Sequence, residues 1–234
     1  MAGFGGDRLQ QVSGWVSERA ASLAAPVSLR LVCETIVARL GMSGAAVTVH
    51  NPAGWPETAE RTGVLAARLA ELEVTVGEGP CLDAHRDGRP VLIADLHAPA
   101  AQARWPLFAP LAAEAGAGAL FALPMCVGSI GVGVLALHRV QAGELGQAAL
   151  ADSLAFTELA MRLLLDGQAA TPAGDGDLPL HNPQLHQATG MVAAQLEVEL
   201  ADAFARLRAR AFADRRLLAD LAADVVARRF RFER

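Results

Sequence analysis

Residues 119–138 read ALFALPMCVGSIGVGVLALH, two apolar runs on either side of the turn-like Val127-Gly128-Ser129. Short apolar runs bounded by a glycine turn read as strands, so Ala119–Met125 and Ile130–His138 form an antiparallel hairpin. Upstream, Trp105 to Ala115 reads as a helix ended by Gly116, and Pro90 to Ala94 as a buried strand. Ala45 to His50 is β-branched and runs into Asn51-Pro52, a strand followed by a turn; Val64 to Leu72 is helical. Leu29, Val32, Cys33, Ile36, Val37 and Leu40 repeat at helical spacing and stop at Gly41, a glycine placed where helices end. Val12, Trp15, Val16, Arg19 and Leu23 give an amphipathic opening helix, and Glu144 to Leu165 a long closing one. Strands in the middle and helices at both ends predict an α+β domain, an antiparallel sheet covered by helices on one or both faces.

Beyond this domain Asp166 to Leu180 reads DGQAATPAGDGDLPL, which has no periodicity and too little apolar surface to order itself. Past it the pattern is helical. Asn182-Pro183 is a cap followed by a first-turn proline. Leu185, Ala188, Met191, Val192 and Leu196 form one stripe; Leu200, Ala203, Phe204, Leu207 and Ala211 a second; Leu218, Leu221, Ala222 and Val225 a third. The expected organisation is an N-terminal helix (1–26), an α+β domain (27–165), a flexible linker (166–180) and a three-helix bundle (181–234).

Composition bounds the function. No apolar run reaches the roughly 18 residues of a membrane span. Met1 to Ala25 carries Asp7, Arg8, Glu18 and Arg19 and has no apolar core of a signal peptide, so a cytoplasmic location is expected. Cys33, Cys81 and Cys126 form no close pair, and the six histidines show no metal-binding spacing, so no metal and no cofactor are expected. No Ser-His-Asp arrangement is legible. Net charge is −5, yet it is uneven: residues 1–179 hold eleven arginines against eighteen acids, and residues 180–234 hold nine against seven. Every basic residue is arginine.

The tail HQATGMVAAQLEVELADAFARLRARAFADRRLLADLAADVVARRF resembles the ANTAR domain, through Gln187-Ala188-x-Gly190-Met191, Ala203-Phe204-x-x-Leu207-Arg208 and Leu221-Ala222-x-Asp224-Val225-Val226. The upstream part resembles a GAF domain, through Gly77-Glu78-Gly79-Pro80-Cys81-Leu82-Asp83-Ala84, Arg89 to Leu96 and the Gly116–His138 hairpin. These resemblances imply a GAF-like sheet flanked by helices and an all-α ANTAR bundle. They further imply a homodimeric transcription antitermination regulator whose output module binds RNA stem-loops, whose sensor takes a small-molecule ligand or serves dimerisation, and which is not an enzyme. The tail departs from the family pattern at Thr189, at Glu197 and Glu199 where a glycine and a small cap are expected, and at Ala219 where a serine cap is expected.

Arg206 and Arg210 project from one flank of the second helix and Arg208 from the other; Arg215 and Arg216 follow at the turn, and Arg228, Arg229 and Arg231 near the end. A guanidinium bridges phosphate oxygens and stacks on unpaired bases, which makes Arg206, Arg208, Arg210, Arg215, Arg216, Arg228 and Arg229 the candidate RNA contacts. The same spacing also suits a solvated helix surface. Phe212 is expected in the bundle's packing. Cys81, Trp105 and Phe121 are the candidate pocket residues of the sensor, and Cys81, at a helix start, is a candidate activated thiol. Two other classes remain open at this point: a thiol enzyme of the methionine sulfoxide reductase kind, and a helix-turn-helix-like DNA binder.

Overall fold

The computed structural model describes residues 3–51, 54–169 and 183–233. In chain order the elements are α1 (Gly3–Ser22), α2 (Leu29–Leu40), β1 (Gly44–His50), β2 (Pro56–Thr62), α3 (Val64–Val76), α4 (Pro80–Asp87), β3 (Val91–Ile93), α5 (Pro99–Arg104), α6 (Phe108–Glu114), β4 (Ala119–Val127), β5 (Ile130–Arg139), α7 (Gln147–Ala169), α8 (Pro183–Leu196), α9 (Leu200–Ala213) and α10 (Leu218–Val226).

The hairpin forms as expected and becomes the centre of a five-stranded antiparallel sheet of order β2-β1-β5-β4-β3. Successive side chains of a strand face opposite ways, and both faces are buried. Phe121, Leu123, Leu135, Leu137 and Val47 pack with Val12, Val16, Ile36 and Phe156 of α1, α2 and α7. Leu120, Ala122 and Val134 pack with Leu69, Leu72, Trp105 and Phe108 of α3 and of the α5–α6 region. Gly133 serves this layering directly: a methyl group there would overlap the Thr48 carbonyl oxygen, so only glycine lets β1 and β5 close.

Several expectations change. The helix read from Trp105 to Ala115 starts only at Phe108, because Pro106 disfavours the helical region for Trp105, which adopts φ −130°, ψ 77° and ends the separate helix α5 instead. β3 is an edge strand paired only with β4, and Leu92 is exposed rather than buried. Polar β2, PETAERT, has no apolar alternation and was not legible; as an edge strand it buries only Ala59. α7 runs to Ala169, so residues 166–169 of the expected linker are helical. Its remainder and the Asn182 cap lie outside the described residues.

The tail folds into three helices around Ala188, Val192, Ala203, Phe204, Leu207, Ala211, Leu218, Leu221, Ala222 and Val225. Thr189 is fully buried, its hydroxyl donating to the Leu185 carbonyl at 2.7 Å. Phe212 points outward, 44 % exposed, because it lies one residue past Ala211 on the stripe; Phe230 and Phe232 pack on the bundle instead. Glu197 holds φ +55° at the turn between α8 and α9, a backbone state glycine adopts without strain.

Candidate functional site

The segment Gly77–Ala84 is a clasp made by its own side chains and glycines. Gly77 (φ +75°) caps α3, its N–H donating to the Glu73 carbonyl at 2.8 Å. Glu78 Oε1 accepts from the N–H groups of Leu107 and Phe108 at 2.6 and 3.0 Å, satisfying donors at the start of α6. A side chain at Gly79 would overlap the Glu73 carboxylate, whose Oε1 accepts from the Cys81 N–H at 2.8 Å. Asp83 accepts from Arg104 at 2.8 Å, Arg86 at 2.8 Å and the Trp105 indole N–H at 3.2 Å.

This clasp closes a small, mainly apolar chamber between the sheet and helices α3 and α4. Two small cavities of about 20 Å³ each share Thr48, Ala70, Glu73 and Cys81 in their walls. Each has room for about one water and none for a metabolite. Burial raises the Glu73 carboxyl to about 7, against the lowering effect of its bonds to Cys81. Burial first, then Glu73, pushes the Cys81 thiol well above its ordinary range. Cys81 is therefore not the activated thiol its place at a helix start suggested, since a nucleophilic cysteine needs a depressed pKa.

His50 and His85 stack face to face at 3.4 Å and 7° between ring planes. Burial lowers His50 to about 4, with His85 adding to the effect, and burial also lowers His85. Burial lowers His138, on β5, to about 4. The chamber is thus furnished with neutral imidazoles and a carboxyl poised near neutrality. Among the described residues no group of three or more His, Cys, Asp or Glu could hold a metal ion.

Of the three sequence-derived pocket residues, Cys81 and Trp105 lie on this face of the sheet; Phe121 points to the opposite face, into the α1–α2–α7 layer. Glu73 was the residue missed. Its signal was an acid at i+4 from Leu69 on an apolar helix face, lost because the helix was read as ending at Leu72.

The arginines fall into three groups. Arg206, Arg215 and Arg228 are exposed, with no ion pair recorded among the described residues. Arg210 pairs with Asp214 at 2.7 Å, and Arg216 and Arg229 share Asp224. Arg208 is half-buried against the sensor: its guanidinium occupies the space where a Gly77 side chain would be, at the C-terminal end of α3.

The helical bundle sits on α3 and β2. Trp55 stacks on Phe204 at 4.5 Å and 16°, and His186 Nε2 lies 3.0 Å from Glu57 Oε1. Glu71 Oε1 accepts from the Ala219 N–H at 3.3 Å, so a sensor carboxylate caps α10, for which no residue of its own makes a side-chain cap. A cleft of about 210 Å³ remains between the two parts, lined by Arg61, Glu71, Val74, Leu185, His186 and Leu218 among others.

Among the described residues no helix is long and apolar enough to cross a membrane. A family model described as GAF domain matches residues 27–165. The GAF domain of an Acinetobacter phosphoenolpyruvate-protein phosphotransferase superposes with TM-score 0.52 at 14 % identity, covering 74 % of this chain and 99 % of that one. The GAF domain of the Coxiella burnetii phosphoenolpyruvate-protein phosphotransferase gives 0.52 at 16 % identity, covering 70 % and 94 %. Comparison with curated proteins finds no match. The matched span takes in all five strands and the chamber they carry, and on it the chain belongs to the GAF domain family.

Proposed function

We propose that this protein is a cytoplasmic transcription antitermination regulator, in which the GAF domain senses a small molecule or mediates dimerisation and the ANTAR-like tail binds RNA stem-loops. The observation that carries the reading is the fit of the tail's motif to a working bundle. Ala188, Ala203, Phe204, Leu207, Leu221, Ala222 and Val225, most of the quoted motif's apolar positions, are the buried core, while Arg206, Arg215 and Arg228 face solvent. A bundle that spends its apolar residues inward and its guanidinium groups outward suits a polyanion. Leu154 and Leu165, exposed on α7, support a dimer through the helical layer. The raised Cys81 thiol favours a binding role over thiol chemistry.

The test is binding of the purified protein to tandem RNA hairpins against duplex DNA of equal charge. Selective hairpin binding that weakens steeply with salt is expected. Changing Arg206, Arg208 and Arg210 to alanine should weaken it at least about tenfold with the fold intact, as for loss of about 1.4 kcal/mol. Equal affinity for both nucleic acids, or an unaffected triple variant, would move the function elsewhere.

A further inference from the structure

We infer that the sensor domain, through Glu57, Glu71 and Trp55, competes with RNA for the helical module, holding it docked and masking Arg208 and the N-terminus of α10. The inference rests on the RNA-binding reading above.

Two polar contacts across the interface set a sensor carboxylate against the module, and Asp220 of the module adds a like charge beside Glu71. Glu57 meets His186 at 3.0 Å, and Glu71 meets the α10 N-terminus through Ala219 N–H at 3.3 Å. The third contact is the Arg208 guanidinium at the carbonyl end of α3, seated over Gly77 and 5.8 Å from the Phe204 ring. Two helices thereby exchange end groups: α3 lends a carboxylate to the positive end of α10, and α9 lends an arginine to the negative end of α3, each the favourable sense of the helix dipole. A helix N-terminus and a nearby guanidinium are also what a phosphate backbone would occupy. At the α10 N-terminus the Glu71 carboxylate therefore stands where a phosphate would. Arg208 shows the burial directly: desolvation lowers it from its ordinary value, and its Nε finds no hydrogen-bond partner among the described residues.

The apolar part of the lock is Trp55. It packs with the bundle's cluster rather than with either layer of the sensor core, its indole stacked on Phe204 and His186. Gly77 completes the fit, since a side chain there would overlap Arg208. If the module is mostly docked, RNA affinity is reduced by the undocked fraction, and weakening the dock restores it. By reciprocity, RNA binding must push the module off the sensor.

The experiment uses the full chain and its Trp55→Ala variant, with Glu71→Lys as a second route to the same release should Trp55→Ala lose its fold. Docking is read by small-angle scattering as the radius of gyration without RNA, and affinity by titration of a labelled tandem hairpin at fixed salt. The expected result is a larger radius together with hairpin binding at least about tenfold tighter, a change of about 1.4 kcal/mol. Adding Arg208→Ala should remove that gain while leaving the radius large. Release with unchanged hairpin affinity, or a gain that survives Arg208→Ala, overturns the masking. An unchanged radius for both variants overturns the docking. If neither wild type nor the released variant prefers hairpin to duplex DNA, the RNA reading fails and masking of RNA contacts fails with it, whatever the radius shows.

Discussion

Replacing Glu73 by glutamine tests whether the sensor chamber stores a titratable strain. The carboxyl is fully buried, held by Cys81 on one side and by the absence of a side chain at Gly79 on the other. Its pKa is raised from 4.5 to about 7 by burial. A raised carboxyl means that the folded state holds a proton the unfolded chain releases, so stability is complete below about pH 4.5 and is lost as pH rises towards 7. At 1.36 kcal/mol per unit, the loss above pH 7 is about 3 kcal/mol. Glutamine keeps the oxygen that accepts from Cys81 N–H and cannot ionise, while its NH₂ faces the Cys81 thiol, a weak partner, at a cost of about 1 kcal/mol. The expected gain is therefore about 2 kcal/mol at pH 8, shrinking to nothing or to a small loss near pH 5. Urea denaturation of both proteins across pH 5–8 measures it, and the difference between them is the informative quantity. His50 and His138, lowered to about 4, impose the opposite slope on both proteins, gaining stability as pH rises from 4 to 6.5, and cancel in the difference. A gain equal at pH 5 and pH 8 would show that Glu73 does not titrate in this window and that the account of the chamber is wrong.

Two further substitutions test the backbone. Glu197→Gly should stabilise the bundle by about 1 kcal/mol, the cost of a left-handed non-glycine residue, offset in part by glycine's greater freedom when unfolded; thermal unfolding showing no gain would mean that Glu197 interactions compensate the strain. Gly133→Ala should cost more than about 2 kcal/mol or unfold the sheet, as overpacking against a fixed carbonyl does; wild-type stability would mean that β1 and β5 can part without loss.

Much of the fold was legible because apolar periodicity is a local property. The hairpin, the Gly41 helix stop, the long α7 and the three tail stripes all follow from residues within a few positions of each other. The failures have one character. β2 is polar because it is an edge strand, and the helix read from Trp105 starts only at Phe108 because Pro106 restricts the residue before it. Phe121 and Cys81 could not be assigned to opposite sides of the sheet without knowing which helices cover which face.

The sequence by itself determined most of the helices and the central strand pair, and that arginines concentrate in the tail. Only the tertiary structure decided what those groups face. Glu73 becomes a near-neutral acid through burial under α4, and Arg208 leaves the solvent because Gly77 provides its seat. The α10 N-terminus, with no side-chain cap of its own, acquires one from Glu71, 148 positions earlier in the chain. Periodicity acts through neighbours along the chain, whereas desolvation and charge pairing depend on distances that folding alone sets.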